Sequence, residues 1–266
     1  MNKKLVTIGL VMAFLLIPFS NTIAGPVMDR ILKQGELKVG ITGSQPPLNA
    51  TTKNGDIIGM DADLANLIAS GLGVKLKFAT MPFDQLLPSL EKGQIDLVIS
   101  SMSMNLERNR TVAFVGPYYA SGKGILTKTK NIPKLQGKES LNATDFTVAV
   151  LKDSTSQAFV EQTAPKAKTV QSKSYDEALE LLIKDQVDAI VADLPYCVFT
   201  AIRYRDQGLE AGESPLSFEP LGFAVKEDAL LINWLENFLE IIKQTGMLKK
   251  VHARWFQDGS WIKDLK

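Results

Sequence analysis

Arg108 is the side chain in this sequence that is best suited to bind a carboxylate. Its planar guanidinium presents a fork of donors that matches the two oxygens of a carboxylate, whereas a lysine ammonium is a point charge. A solvated surface position is the common alternative for any arginine. The residue therefore indicates an anion site only if the surrounding elements bring it into a cleft.

Two further stretches have a chemistry that suits a charged ligand. The segment 152–157, with Ser154 and Thr155 at its centre, is predicted to begin a helix. The free backbone N–H groups of a helix N-terminus favour an anion, although Asp153 or Ser154 could also serve as an ordinary cap. Asp193 offers a negative charge, and the alternative for it is to cap a helix that starts at Pro195.

An internal repeat places these residues in one architecture. Residues 83–100 and 175–192 align without a gap, with Asp, two Leu, Lys, Gln and Asp in register. Each copy is predicted to be a helix, a turn at Gly93 or Asp185, and a buried strand. A further strand and helix precede each copy, with the strands over 37–42 and 146–151. The sequence thus predicts an α/β fold of two βαβ lobes.

The repeat register also predicts a cleft. Ligands of open α/β sheets bind beyond the carboxyl ends of the strands. Ser101, followed by Met102 and Ser103, comes directly after the first repeat, and Asp193 occupies the equivalent position after the second. We therefore expect Ser101 and Asp193 to face one another across the cleft, one neutral and the other anionic.

Two C-terminal helices are predicted to complete the first lobe. Apolar residues recur at helical spacing over 230–245, Gly246 interrupts the pattern, and a shorter helix is expected over 248–256. If these helices return to the first lobe, two hinge strands must join the lobes. The predicted organisation is a signal peptide over 1–24, lobe 1 over 25–121 and 222–266, and lobe 2 over 122–221.

The N-terminus predicts export. Lys3 and Lys4 precede an apolar stretch over 5–19, and we expect cleavage after Ala24 because the stretch is short for a membrane anchor and small residues follow it. Without the two lysines the chain has 28 basic and 29 acidic residues. That balance gives no electrostatic footprint for nucleic acid, so we expect a small-molecule partner and a monomer.

Metal and nucleophile chemistry have little support in the sequence. Cys197 is the one cysteine, so neither an internal disulfide nor a lipid attachment after the signal is expected. His252 is the one histidine and is predicted to lie on an amphipathic helix. We predict no cofactor, no metal site and no catalytic residue.

Several motifs together resemble one protein family. They are Gly59-Met60-Asp61-Ala62-Asp63-Leu64-Ala65, Ser101-Met102-Ser103 with Glu107-Arg108, Pro117-Tyr118-Tyr119, Asp188-Ala189-Ile190-Val191-Ala192-Asp193, and Gly246-Met247-Leu248 with Trp255-Phe256. Over about residues 28–261 the chain is similar to the extracellular solute-binding proteins, family 3, of polar amino-acid ABC transporters. The resemblance implies a periplasmic-binding-protein-like fold, periplasmic localisation and delivery of an amino acid to an inner-membrane ABC permease.

The resemblance also implies roles for particular residues. Arg108 would hold the ligand carboxylate together with Ser103 and backbone donors near Ser154 and Thr155, and Asp193 would hold the ammonium. Phe83 would form an apolar wall. The complete predicted ligand-binding set is Gln45, Phe83, Ser101, Met102, Ser103, Arg108, Ser154, Thr155 and Asp193.

Departures from the family pattern bear on ligand choice and on the alternative function. Binders of cationic amino acids usually carry an acid where this chain has Thr42, and an aromatic ring is common where Gln45 stands, so we expect an uncharged ligand side chain. The alternative is a cyclohexadienyl dehydratase-like enzyme, which residues 28–32 and 105–108 resemble. Such an enzyme is expected to carry a glutamate shortly after the Asp193 position, where this chain has Leu194-Pro195-Tyr196. A receptor-type sensor domain is a third possibility.

Overall fold

The computed structural model describes residues 25–135 and 140–265, and the predicted signal peptide and its cleavage site lie outside them. The helices are α1 (Pro26–Gln34), α2 (Met60–Leu72), α3 (Phe83–Glu91), α4 (Thr155–Thr163), α5 (Tyr175–Ile183), α6 (Leu194–Arg203), α7 (Ala229–Gln244) and α8 (Met247–Phe256). The strands are β1 (Glu36–Ile41), β2 (Ser44–Gln45), β3 (Asn49–Thr51), β4 (Ile57–Ile58), β5 (Lys75–Thr80), β6 (Leu97–Val98), β7 (Ala113–Ser121), β8 (Lys123–Lys128), β9 (Thr147–Leu151), β10 (Lys168–Ser172), β11 (Ala189–Asp193), β12 (Leu209–Ala211) and β13 (Glu219–Val225).

Two five-stranded sheets form the two lobes of the molecule. The first has the order β5-β1-β6-β13-β7 and the second has the order β10-β9-β11-β8-β12. In each sheet the repeat strand runs parallel to the strand that opens its half, since β6 pairs with β1 and β11 pairs with β9. The prediction of an α/β fold with two βαβ lobes is confirmed.

The repeat is visible in the backbone as well as in the pairing. Helices α3 and α5 each contain nine residues and each begin with an aromatic residue. The turns that follow them both use the left-handed conformation, with φ of 69° at Gly93 and 58° at Asp185. Glycine adopts this conformation without a steric penalty, and aspartate tolerates it better than most residues.

Two backbone crossings connect the sheets, and they lie side by side. Strand β7 of the first sheet leads into β8 of the second through Gly122 alone. The chain returns between β12 and β13, and Glu219 at the start of β13 is the pairing partner of Ser121 at the end of β7. Side-by-side crossings of this kind allow two lobes to rotate about one axis.

The C-terminal helices pack on the first sheet. Leu235 of α7 and Trp255 of α8 belong to the same hydrophobic core as Val39 of β1 and Leu64 of α2. The carboxylate of Asp228 accepts the N–H of Leu231 at 2.9 Å and those of Val27 at 2.6 Å and Met28 at 3.1 Å. One side chain therefore caps α7 and α1 together. Across 25–135 and 140–265, no helix combines the length and apolarity that a membrane span requires.

Candidate functional site

A cavity of about 760 Å³ opens between α3 of the first lobe and α4 of the second. Five residues of the predicted set line it, namely Phe83, Met102, Arg108, Ser154 and Thr155. The other four, Gln45, Ser101, Ser103 and Asp193, lie outside its lining, and each is only 3% exposed. The structure therefore divides the predicted set into five residues that line the cavity, of which Phe83, Met102 and Ser154 are themselves buried, and four that lie outside the lining, which we call the buried group.

Arg108 joins the two lobes at this cavity. Its Nη1 donates to the carbonyl oxygen of Ser103 at 3.0 Å, and its Nη2 donates to the carbonyl oxygen of Asp153 at 3.2 Å. The guanidinium carbon lies 5.5 Å from the centre of the Phe83 ring, which is cation–π distance. Burial lowers the pKa of Arg108, and the carboxylates of Glu219 and Asp193 oppose that shift.

The side chains beside Arg108 also connect the lobes. The hydroxyls of Ser103 and Thr155 lie 3.2 Å apart.

Ser154 is the N-cap of α4, where its Oγ accepts the N–H of Gln157 at 3.2 Å and donates to the carbonyl oxygen of Leu151 at 2.6 Å. The Ser154 hydroxyl is therefore occupied by capping.

Asp193 occupies an N-cap position but does not act as a cap. It precedes α6, and its carboxylate makes no capping hydrogen bond to that helix. Instead Oδ1 lies 2.8 Å from the ammonium of Lys123, and both side chains are almost completely buried. Lys123 also lies 3.7 Å from Glu219. Sequence reasoning missed Lys123 and Glu219, although each lies two residues from a predicted lobe boundary, after 121 and after 221.

The buried group around Ser101 is organised by Asp61. Asp61 Oδ2 accepts the backbone N–H of Ser101 at 2.9 Å and the side-chain amide of Asn49 at 2.8 Å, while Oδ1 accepts the Tyr118 hydroxyl at 2.8 Å. Ser101 has a positive φ of 51°, unlike Asp193 at the equivalent repeat position. Such a conformation persists where surrounding contacts fix it, and Asp61 supplies them.

Burial raises the pKa of Asp61 to about 6, against hydrogen bonds from Asn49, Tyr118 and Ser101 that lower it. Sequence reasoning included Asp61 in the family motif but gave it no role. The signal available was a carboxylate placed between apolar residues at the start of a helix.

Gln45 belongs to a small neutral network at the end of β1. The Thr42 hydroxyl lies 3.2 Å from Gln45 Oε1 and 2.9 Å from Asn49 Oδ1. Asn49 in turn connects this network to Asp61. Thr42, Gln45 and Asn49 are uncharged, so this part of the buried group has no fixed charge to complement a cationic ligand side chain.

Metal and thiol chemistry have no support in the described ranges. No cluster of three or more His, Cys, Asp or Glu residues capable of holding a metal occurs there. Cys197 of α6 is fully buried, and burial raises the pKa of its thiol. His252 is half-buried and stacks on Phe256 at 4.4 Å between ring centres.

Two lobes joined by paired crossings, with an arginine and a buried acid at their junction, define a two-lobed ligand-binding protein. The chain belongs to the bacterial extracellular solute-binding proteins, family 3, whose model matches residues 37–258. The predicted family is thereby confirmed.

Individual relatives extend this finding. The chain is 29% identical to ABC transporter arginine-binding protein 1 of Escherichia coli over 83% of its length and 90% of that protein. It is 25% identical to the cyclohexadienyl dehydratase of Pseudomonas aeruginosa, over 86% of both chains. Among solved structures it is similar to an ancestral amino acid-binding protein described as a precursor of cyclohexadienyl dehydratase, at 35% identity and a TM-score of 0.80, covering 86% of this chain and 99% of that one. Binding proteins and an enzyme therefore both occur among its relatives.

Proposed function

We propose that this protein captures a free α-amino acid by closure of its two lobes and delivers it to an ABC permease at the inner membrane. The observation that carries the proposal is the position of Arg108, whose guanidinium reaches backbone carbonyls on both lobes. A ligand carboxylate has two oxygens that can accept hydrogen bonds from such a donor fork, and this charge-assisted pairing is among the strongest in proteins. Asp193, on the second lobe, supplies the charge that suits an ammonium.

The positions of the Arg108 and Asp193 charges explain why the two lobes would close around the ligand. Arg108 belongs to the first lobe and Asp193 to the second, so a zwitterion can use both only when the lobes are together. A ligand shifts an open–closed equilibrium only through its preference for one state, and this ligand has that preference. The closed form is then the species that the permease would recognise in the periplasm, after removal of residues 1–24. The proposed lobe boundaries are 25–121 with 222–266 for lobe 1 and 122–221 for lobe 2.

An uncharged ligand side chain is the second part of the proposal. The similarity to an arginine-binding protein suggests a cationic ligand, but Thr42, Gln45 and Asn49 form a neutral hydrogen-bonded network here. A buried cationic group without an opposite charge is costly. We therefore propose that amino acids with uncharged side chains bind better than arginine or lysine.

A screen of the twenty amino acids by thermal shift tests the proposal. A ligand at about 100 times its dissociation constant stabilises the folded state by about 2.7 kcal/mol, which is readily measured. The shift should disappear in Arg108→Ala and persist in Arg205→Ala, where an exposed arginine is removed away from the cavity. Absence of a shift with every amino acid, or a full shift in Arg108→Ala, would refute the proposal.

The alternative is a dehydratase activity, which the 25% identical Pseudomonas enzyme favours. Asp61 is a buried acid with a raised pKa, but its oxygens accept hydrogen bonds from Asn49, Ser101 and Tyr118. That arrangement suits a positioning residue better than an acid that gives its proton to a ligand. Incubation with prephenate or arogenate and ultraviolet detection of the aromatic product distinguishes the two functions.

A further inference from the structure

A buried lysine, Lys123, forms an ion pair with Asp193, the carboxylate that is proposed to bind the ligand ammonium. The Lys123 ammonium lies 2.8 Å from Asp193 Oδ1 and 3.7 Å from Glu219 Oε2, and its side chain is only 2% exposed. Lys123 begins β8 at the first crossing, and Glu219 begins β13 at the second. The three residues, which we call the hinge triad, thus connect both crossings to Asp193.

The hinge triad has more negative than positive groups. Two carboxylates share one ammonium, so the three side chains of the triad carry a net charge of minus one, and the Arg108 guanidinium that interacts with both carboxylates is left for the ligand carboxylate. A buried carboxylate without a partner is strongly disfavoured, and Lys123 therefore satisfies Asp193 in the protein as it stands. A ligand ammonium would bring the group to neutrality, with Lys123 left to Glu219.

We infer that the Lys123 ammonium competes with the ligand ammonium for the Asp193 carboxylate. Glu219 favours the ligand in this competition, because it can pair with Lys123 when the ligand binds Asp193. This inference rests on the proposed function. A lysine ammonium can make such an exchange because it is a compact charge on a flexible four-carbon stem with three donors. Ligand capture then exchanges one ion pair for another, and Asp193 is never left unpaired.

A purely structural ion pair makes a different prediction from a competitor. If the hinge triad only holds the hinge together, removing either Lys123 or Glu219 should weaken ligand binding. If Lys123 competes with the ligand, its removal should strengthen amino-acid binding, whereas removal of Glu219 should weaken it by leaving Lys123 with Asp193 alone. The two variants should therefore change affinity in opposite directions.

The test is calorimetry on Lys123→Met and Glu219→Gln, using the amino acid with the largest thermal shift among the twenty. We expect roughly tenfold tighter binding in Lys123→Met and roughly tenfold weaker binding in Glu219→Gln, each a change of about 1.4 kcal/mol. Lys128→Met is the matched control, because it removes a lysine of the same strand that pairs with Asp185 instead. We expect wild-type affinity from that control.

Lys123→Met removes the ammonium partner of the buried Asp193 carboxylate and can fail to fold, so the double variant Lys123→Met/Glu219→Gln is measured with it. The double variant keeps Asp193 as the single charge of the group and should bind the amino acid more tightly than the wild type. Equal or weaker binding in Lys123→Met or in the double variant would overturn the inference.

The same experiment separates the inference from the proposed function. A wild type that binds none of the twenty amino acids, with a Lys123→Met protein that binds one, would support the inference and refute the proposed function. Failure of both proteins to bind any amino acid would overturn both.

Discussion

The Lys152 ammonium lies 2.7 Å from Oδ2 of Asp84, a residue that lines the cavity, and this ion pair joins the two lobes. Lys152 directly follows β9 of the second lobe, and Asp84 is the second residue of α3 in the first. The hydrogen bond that the Lys152 ammonium donates to Asp84 raises the pKa of Lys152, so the lysine is charged at neutral pH. An exposed pair of this kind is screened by solvent and salt.

Because of that screening, we predict a small effect for Lys152→Met. Ligand affinity should fall by no more than roughly fivefold, in line with measured exposed ion pairs. The difference from the wild type should shrink when salt is raised from about 0.05 M to about 0.5 M. Calorimetry at both salt concentrations measures this, and a salt-independent loss would contradict the prediction.

Arg108→Ala should have a much larger effect than Lys152→Met. Removing the guanidinium leaves the ligand carboxylate desolvated and unpaired, which costs on the order of 2 to 5 kcal/mol, or roughly thirtyfold to several thousandfold in affinity. Calorimetry with the bound amino acid measures the loss. Wild-type affinity in the exposed variant Arg205→Ala would show that the effect belongs to the site, and a loss of less than about tenfold in Arg108→Ala would argue against the carboxylate role.

Asp61 should make stability depend on pH between about 4 and 6. Its folded pKa of about 6 lies above the ordinary value of 3.8, so the folded state holds the proton more tightly than the unfolded state. The resulting contribution to stability is fully present below about pH 4 and is lost as the pH rises through about 6. A difference of about 2 pKa units corresponds to about 3 kcal/mol.

Asp61→Asn removes this titration. Urea unfolding at several pH values between about 4 and 7 should show a shallower fall in the free energy of unfolding for the variant than for the wild type. Asp56→Asn, which removes a carboxylate from an exposed position, should follow the wild-type curve. Parallel curves for the wild type and Asp61→Asn would refute the assignment.

Gly59 is predicted to tolerate no side chain. Its φ is 125°, and an added Cβ would collide with the carbonyl oxygen of Leu48 and lie 2.7 Å from the carbonyl carbon. Gly59→Ala should lower the free energy of unfolding by about 4 kcal/mol or more. At Gly35, with φ of 64° and nothing within 4 Å, alanine should cost about 1 kcal/mol. Similar losses for the two variants would contradict the steric explanation.

Asp228→Ala should destabilise more than the loss of an ordinary helix cap. The carboxylate accepts three backbone N–H groups from two helices, so its removal leaves donors of both α1 and α7 unpaired. We expect a loss on the order of 2 to 4 kcal/mol in unfolding free energy. Ser174→Ala removes a single bond to Glu177 and should cost about 1 kcal/mol. Equal losses would mean that α1 does not depend on Asp228.

Most of the fold prediction came from the internal repeat, because each copy contains a complete helix, turn and strand. Helix α3, the turn at Gly93 and strand β6 follow from apolar spacing and turn chemistry that operate within about twenty residues. The prediction of a helix over 230–245 succeeded for the same reason, with α7 observed over Ala229–Gln244. Local physical rules were sufficient wherever an element depends on its own residues.

The site was less predictable where partners are distant in the sequence. Lys123 and Asp193 are seventy positions apart and meet only because β8 and β11 pair in antiparallel register. Likewise, Asp61 of α2 and Ser101, which follows β6, are forty positions apart and are joined by a hydrogen bond. Sequence spacing does not reveal contacts of this kind. The role of Arg108 stays a proposal that Arg108→Ala tests, and the role of Asp193 is tested through its ion-pair partner in Lys123→Met.

Cys197 gives this molecule a practical property. Its thiol is the only one in the chain and is fully buried, with a raised pKa that keeps it protonated. Thiol reagents attack the exposed thiolate and should therefore leave the native protein unlabelled. A cysteine introduced at the exposed rim position Glu161 would then be the sole attachment point for a fluorophore, so that lobe closure could be followed as an optical signal without first removing the native residue.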